Sequence, residues 1–295
     1  MLGWRLGISA VLVPCLLLMF WWDSTLGAGA PVLLVFCLLL SLRSTFEMSQ
    51  LLKTRAMKPC FEVTALCNVL IIFAAWAHSR MSIKVSPEQS LLISLGWIAA
   101  AVVGGFLLLM LFEAARFRKP GRSMESLGAT MMYAGVLLAV IAQFRWFPDT
   151  SIGYFAIGSV IIAAKSGDIM AYTFGRLCGR RKMIPRLSPG KTWMGGFGAI
   201  VGSGLGGWLW LTFGGQLFEA KPTASSLECV LGFSITMGVV GLIGDLCESL
   251  IKRDAEKKDS AALLPGFGGL LDLLDSPLFA GPIALAWWMW WPPVV

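Results

Sequence analysis

The chain has 295 residues, is 57% hydrophobic and carries a formal net charge of +7. Only 14% of its residues are charged, against about 25% in soluble domains, and bilayer-length apolar runs recur along it, which excludes a soluble protein. A β-barrel is excluded too, because its short alternating strands are absent.

Hydropathy predicts an all-α polytopic membrane protein with about nine transmembrane helices, at residues 6–22, 31–42, 63–78, 90–112, 126–142, 150–164, 193–213, 227–250 and 276–291. Ala28-Gly29-Ala30 resembles a signal cleavage site. The apolar run before it is long for a signal peptide and only Arg5 precedes it, so the first span is expected to be retained. The second span is short unless it extends back through Gly27–Ala30. The sixth is short as well, and is expected to unwind or stop at Lys165–Asp168. In the seventh, Gly198, Gly202 and Gly206 repeat every four residues, which suits either bundle packing or a dimer face. Tryptophans at span ends, such as Trp21, Trp22, Trp146 and Trp287, fit an interfacial belt.

Twenty of the 24 Lys and Arg fall on one side of this layout. Arg80, Lys84, Arg145 and Lys221 make up the other side. The positive-inside rule then places the N-terminus in the cytoplasm and the C-terminus outside. Residues 1–125 form an N-terminal set of spans. Residues 126–295 form a C-terminal region with cytoplasmic loops at 165–192 and 250–275.

The candidate chemistry lies in that second region. His78 is the only histidine and the seven cysteines contain no CxxC pair, so a histidine zinc site or histidine-based triad is unsupported. The cysteines read as small apolar packing residues. Asp168, close to Lys165 at the end of a span, reads either as one half of an interfacial ion pair or as a functional acid. Ser188-Pro189-Gly190-Lys191-Thr192-Trp193 resembles half a Walker loop, but Pro185 stands where that motif needs Gly. It is a phosphate-site candidate through the helix start and Lys191, or a plain turn with an interfacial lysine.

The segment from Gly244 to Ser276 carries more. Asp245 lies inside the eighth span, one turn from Glu248 and Ser249. Asp272 and Asp275, three apart, share a helix face. Carboxylates at a membrane edge need a cation or basic partners, and an oxygen-only cluster suits Mg²⁺ with phosphates. Gly266, Gly268 and Gly269 form a loop beside them.

Ser249-Leu-Ile-Lys252-Arg253-x₄-Lys258-Asp259-x₅-Pro265-Gly266-x-Gly268-Gly269-x₂-Asp272-x₂-Asp275 resembles the C-terminal signature of the phosphatidate cytidylyltransferase family, the CDP-diacylglycerol synthases. The blocks around Asp168 to Tyr172, Ser188 to Trp193 and Gly244 to Ser249 resemble that family's other motifs, in its order. The resemblance covers about residues 165–281. It implies a polytopic, dimeric enzyme, its catalytic region at 126–295, that joins CTP and phosphatidate into CDP-diacylglycerol and pyrophosphate. It implies Mg²⁺ on Asp245, Asp272 and Asp275, with a second cation left open. Lys252 and Arg253 are the further catalytic candidates. Substrate would be held by Lys191, Ser188, Thr192, Asp168, Ser249, Lys258, Asp259, Gly268 and Gly269. The expected site is the cytoplasmic face of a bacterial-type inner membrane, and nucleic acid is not an expected partner.

Two positions depart from the signature: Phe267 stands where the family has His, and Leu273 where it has Arg. They motivate two alternatives, transfer to another lipid phosphate or lipid alcohol, and a non-catalytic lipid-binding relative. A transporter would spread its acids at mid-membrane depth over several spans; here they gather at cytoplasmic ends.

Overall fold

The computed structural model describes residues 2–53, 60–80, 86–115, 128–147, 152–218, 226–257, 259–261 and 268–294. The chain forms two compact units, Met1–Phe147 with Asp254–Leu273, and Pro148–Arg253 with Leu274–Val295. Among the described residues seven helices are long and apolar enough to cross a membrane, and shorter apolar helices lie at Val11–Thr25 and Phe61–Ala75. The all-α polytopic class expected from hydropathy is the observed one.

The first unit contains α1 (Leu2–Thr25), α2 (Pro31–Leu52), α3 (Phe61–Ala75), α4 (Pro87–Ala115) and α5 (Gly128–Arg145). The second span does not extend backwards. Gly27 has φ 92° and Ala30 φ 46°, so this stretch is a turn, and Pro31 presets the first turn of α2. Three side chains clasp the turn: Arg145 donates to Gly27 O, Trp146 Nε1 to Ala28 O and Trp76 Nε1 to Gly29 O.

Instead α2 runs on past residue 42 to Leu52. Ser41, Ser44, Thr45, Glu47 and Ser49 are all buried there, a polar stretch that hydropathy reads as loop. Burial of the Thr45 and Ser49 hydroxyls is tolerated because they bond back to the helix's own carbonyls: Thr45 Oγ1 donates to Ser41 O at 2.7 Å and Ser49 Oγ to Phe46 O at 2.8 Å. Asn68 of α3 adds a 2.7 Å hydrogen bond to Thr45 Oγ1. One π-helical turn, Met132–Val136, interrupts α5.

The second unit holds α6 (Gly153–Cys178), a hairpin of β1 (Lys182–Ile184) and β2 (Ser188–Thr192), α7 (Trp193–Phe213), α8 (Leu227–Asp254) and most of α9 (Leu270–Trp290). The expectation that the sixth span unwinds at Lys165–Asp168 is overturned, since α6 is continuous to Cys178. Lys165 and Asp168 sit three residues apart and pair at 2.8 Å, so neither charge has to leave the helix for water.

The glycine stripe of α7 is used inside the unit, against α6. A Cβ on Gly202 would lie 2.5 Å from both Ser166 O and Met170 Cβ, a separation that only Gly allows. Trp210 of α7 stacks on Phe155 with 6.1 Å between ring centroids and donates its indole N–H to Phe155 O. The hairpin follows α6 directly, with Lys182 opposite Thr192 and Ile184 opposite Ser188.

Candidate active site

In α8, Asp245, Glu248, Ser249 and Lys252 recur at three- and four-residue steps and share one face. Glu248 is buried, and Lys252 Nζ meets its Oε2 at 2.8 Å within the helix. From α9, Asp275 brings its carboxylate to the same place. The ligand oxygens of Asp245, Glu248 and Asp275 lie within 4.8 Å of one another. Like charges this close need compensation.

Lysines supply it. Lys191, at the end of β2, reaches Asp245 Oδ2 at 3.0 Å and donates to Leu242 O at 3.2 Å. Lys165 of α6 is 2.8 Å from Asp168 and 3.6 Å from Asp275. Ser276 Oγ donates to Asp168 Oδ1 at 3.0 Å, and Ser276 N to Asp275 Oδ1 at 2.6 Å. The set comprises four carboxylates (Asp168, Asp245, Glu248, Asp275) and three ammonium groups (Lys165, Lys191, Lys252), leaving one net negative charge. Asp245 and Asp168 are the open members, their side chains 38% and 34% exposed, against 2% for Glu248 and 7% for Asp275.

The hairpin sets Lys191 in place. Thr192 caps α7, its Oγ1 accepting from Gly195 N at 3.0 Å, and Trp193 N donates to Arg181 O. Arg253 is exposed and its Nε donates to Leu187 O at 3.2 Å, bracing the hairpin from α8. Ser188 is half-buried on β2 and Ser249 is buried on α8.

Asp272 has different partners. It belongs to the first unit, where its Oδ2 accepts from Gly269 N at 2.7 Å, Ser260 N at 2.9 Å and Ser260 Oγ at 2.7 Å. Gly268 precedes it with φ 91°, a left-handed conformation open to glycine. Asp259 is exposed and Leu273 half-buried. Lys258 and Phe267 lie outside the described residues.

The structure therefore brings Asp168, Lys191, Asp245, Lys252 and Asp275 into one ionic set. It adds Lys165 and Glu248, which the sequence reading left out of its site. Both carried a signal: each is one helical turn from a candidate acid in an otherwise apolar run. Ser276 carried none, because a serine next to an aspartate has no distinguishing pattern.

A carboxylate–lysine cluster set into apolar helices defines a polytopic membrane protein with a buried ionic centre. The chain belongs to the cytidylyltransferase family, whose sequence model matches residues 4–290. It is 28% identical to the phosphatidate cytidylyltransferase of Brucella abortus biovar 1 (strain 9-941) over 277 residues, covering 94% of this chain and 89% of the relative. It is 38% identical over 148 residues to the uncharacterized protein YnbB of Escherichia coli (strain K12), covering 50% of this chain and 47% of that protein. It is also 39% identical over 135 residues to the phosphatidate cytidylyltransferase of Pseudomonas aeruginosa, covering 45% and 48%. The last two alignments span about half the length of those relatives.

Proposed function

We propose that this nucleotidyltransferase moves the cytidylyl group of CTP onto phosphatidate, releasing pyrophosphate and forming CDP-diacylglycerol. The observation that carries the reading is the convergence of Asp245, Glu248 and Asp275 with Lys165, Lys191 and Lys252 in a member of the cytidylyltransferase family.

The chemistry suits a site without a histidine base. The phosphatidate phosphate is an anion at neutral pH, so its oxygen can attack the α-phosphorus of CTP directly. The new P–O bond forms as the bond to the β-phosphate's bridging oxygen breaks, and pyrophosphate leaves with the electron pair. Aligning the two anions and neutralising their charge is what remains for the protein. Lysine is a compact cation on a flexible stem, so Lys191, Lys165 and Lys252 can trade a carboxylate for a phosphate oxygen. Lys258 and Arg253 join them as phosphate ligands in this reading, with Ser188, Ser249, Asp259, Gly268 and Gly269 positioning substrate and Thr192 acting through its cap, which holds Lys191 in place. An acceptor lipid alcohol would also require a group to take its proton.

The donor set fits a hard divalent cation, since all three groups are carboxylates and one net negative charge is left over. Asp245 and Asp275 would hold Mg²⁺, with Asp272 from the family pattern and Glu248 from the geometry. When bound, Mg²⁺ neutralises triphosphate charge. The asymmetry of Lys and Arg supports a site on the cytoplasmic face of a bacterial inner membrane, where CTP is found. A homodimer belongs to this reading on the family resemblance alone.

The test is direct. Purified protein with CTP, Mg²⁺ and phosphatidate should release pyrophosphate and form CDP-diacylglycerol one for one. Product with another lipid phosphate but none with phosphatidate would move the assignment to a different acceptor. Tight CTP binding without turnover would make the chain a binding relative.

A further inference from the structure

The start of α9 is held by a helix far away in sequence. Glu47 of α2 is 1% exposed. Its Oε1 accepts from Leu270 N at 3.0 Å, across 223 residues of chain, and Oε2 accepts from Leu271 N at 3.0 Å. These are the first amides of α9, donors that the helix itself cannot satisfy. Arg43, one turn earlier in α2, pairs with Oε1 at 3.0 Å and supplies the counter-charge.

Glu47 also connects to the anchor of Asp272. Ser260 Oγ lies 2.7 Å from Asp272 Oδ2 and 3.2 Å from Glu47 Oε2. A hydroxyl has one proton, and the shorter contact marks Asp272 as its main acceptor. Gly269 fills the remaining gap: a Cβ there would meet Ser260 Oγ, and would lie 2.5 Å from Glu47 Oε2. Glu47, Ser260, Gly269 and Asp272 thus form one packed hydrogen-bonded unit.

We propose that Glu47 is a positioning residue of the transferase: through the amides of Leu270 and Leu271 and through Ser260, it fixes the start of α9 and the orientation of the Asp272 carboxylate. Its catalytic consequence rests on the function proposed above, in which Asp272 takes part. The residue type follows from the partners, since Arg43 and the amides of Leu270 and Leu271 all donate to Glu47. A carboxylate accepts with both oxygens and suits the positive end of a helix dipole. Glutamine of the same size would turn an NH₂ group towards an amide or towards Arg43.

The test uses the full chain in nanodiscs, with amide hydrogen exchange and steady-state kinetics measured on the same samples. For Glu47→Gln, exchange at Leu270 and Leu271 should rise by about tenfold or more. The kcat per folded protein should fall by roughly tenfold while KM for CTP stays within about twofold, and Glu47→Asp should restore part of both. Unchanged exchange overturns the proposal. So does faster exchange with an unchanged kcat, which would leave Glu47 merely structural. Should Glu47→Gln fail to fold, Glu47→Asp gives the same two readouts at smaller amplitude. A wild-type chain that makes no CDP-lipid refutes the reaction instead, and the exchange data still decide whether Glu47 holds α9.

Discussion

The protein compensates the carboxylates of its apolar helices in two ways. In the second unit, Asp245, Glu248 and Asp275 are balanced by the ends of Lys191, Lys252 and Lys165. In the first, Glu47 and Asp272 are balanced mainly by amides and by Ser260, with Arg43 at one edge. A lysine can swing away and take another anion; a backbone amide at a helix start cannot. The first arrangement is built for exchange of partners and the second for holding a shape. The carboxylates therefore differ in role through the mobility of their donors.

The largest effect should come from removing charge in the exchangeable set. Asp245→Asn and Asp275→Asn should lower CDP-lipid formation by about 10²-fold or more, with little change in melting temperature. Asp272→Asn should lose activity too, and about 1–3 kcal/mol of stability with it, because three donors lose their charged acceptor. Turnover assays beside thermal melts of the same preparations check this. If Asp245→Asn melts as early as Asp272→Asn, the contrast between exchangeable and fixed acids is wrong.

Removing a cation from the exchangeable set comes next. Lys191→Gln should raise KM for CTP by about tenfold, the value of one charge-assisted phosphate contact. An unchanged KM with a fallen kcat would assign Lys191 to the chemical step and away from ground-state binding.

The exchangeable set was more legible in the sequence than the fixed one. Acids at span ends stand out against apolar runs, and Asp168, Asp245 and Asp275 were singled out by that contrast, Lys191 by its turn motif and Lys252 by the family resemblance. Glu47 was not, because it sits in a polar stretch beyond residue 42 that hydropathy assigns to a loop. In space α2 continues to Leu52, and its polar groups are satisfied by the back-bonding of Ser49 and Thr45 and by the contact from Asn68. The sixth span was cut short for a related reason: hydropathy counts Lys165 and Asp168 as two charges, whereas in space they form one neutral pair. The glycine stripe of α7 favoured bundle packing over a dimer face without deciding between them, because close approach looks the same in sequence whichever helix approaches.

Within the fixed set, Ser260→Ala removes one hydroxyl and leaves the amides that hold Glu47 and Asp272 in place. It should cost about 1 kcal/mol and lower kcat by only a few-fold. A thermal melt and a single kinetic series suffice. A loss as great as that of Asp272→Asn would make the hydroxyl, and not the amides, the principal tether.

The smallest effect tests whether the second unit also contains a fixed element beneath its mobile lysines. Thr192 is buried, and Gly195 N donates to its Oγ1, so the hydroxyl anchors the first turn of α7 directly after Lys191. Thr192→Ala should cost about 1 kcal/mol, the usual range for a lost N-cap, and raise KM for CTP by no more than about twofold, because Lys191 keeps its charge while losing part of its rigid base. Thr192→Ser keeps the hydroxyl and should recover both values. If Thr192→Ala melts like the wild type while KM rises tenfold, the hydroxyl works on substrate and the cap is incidental. The unit would then contain one more exchangeable polar group and one fewer fixed anchor.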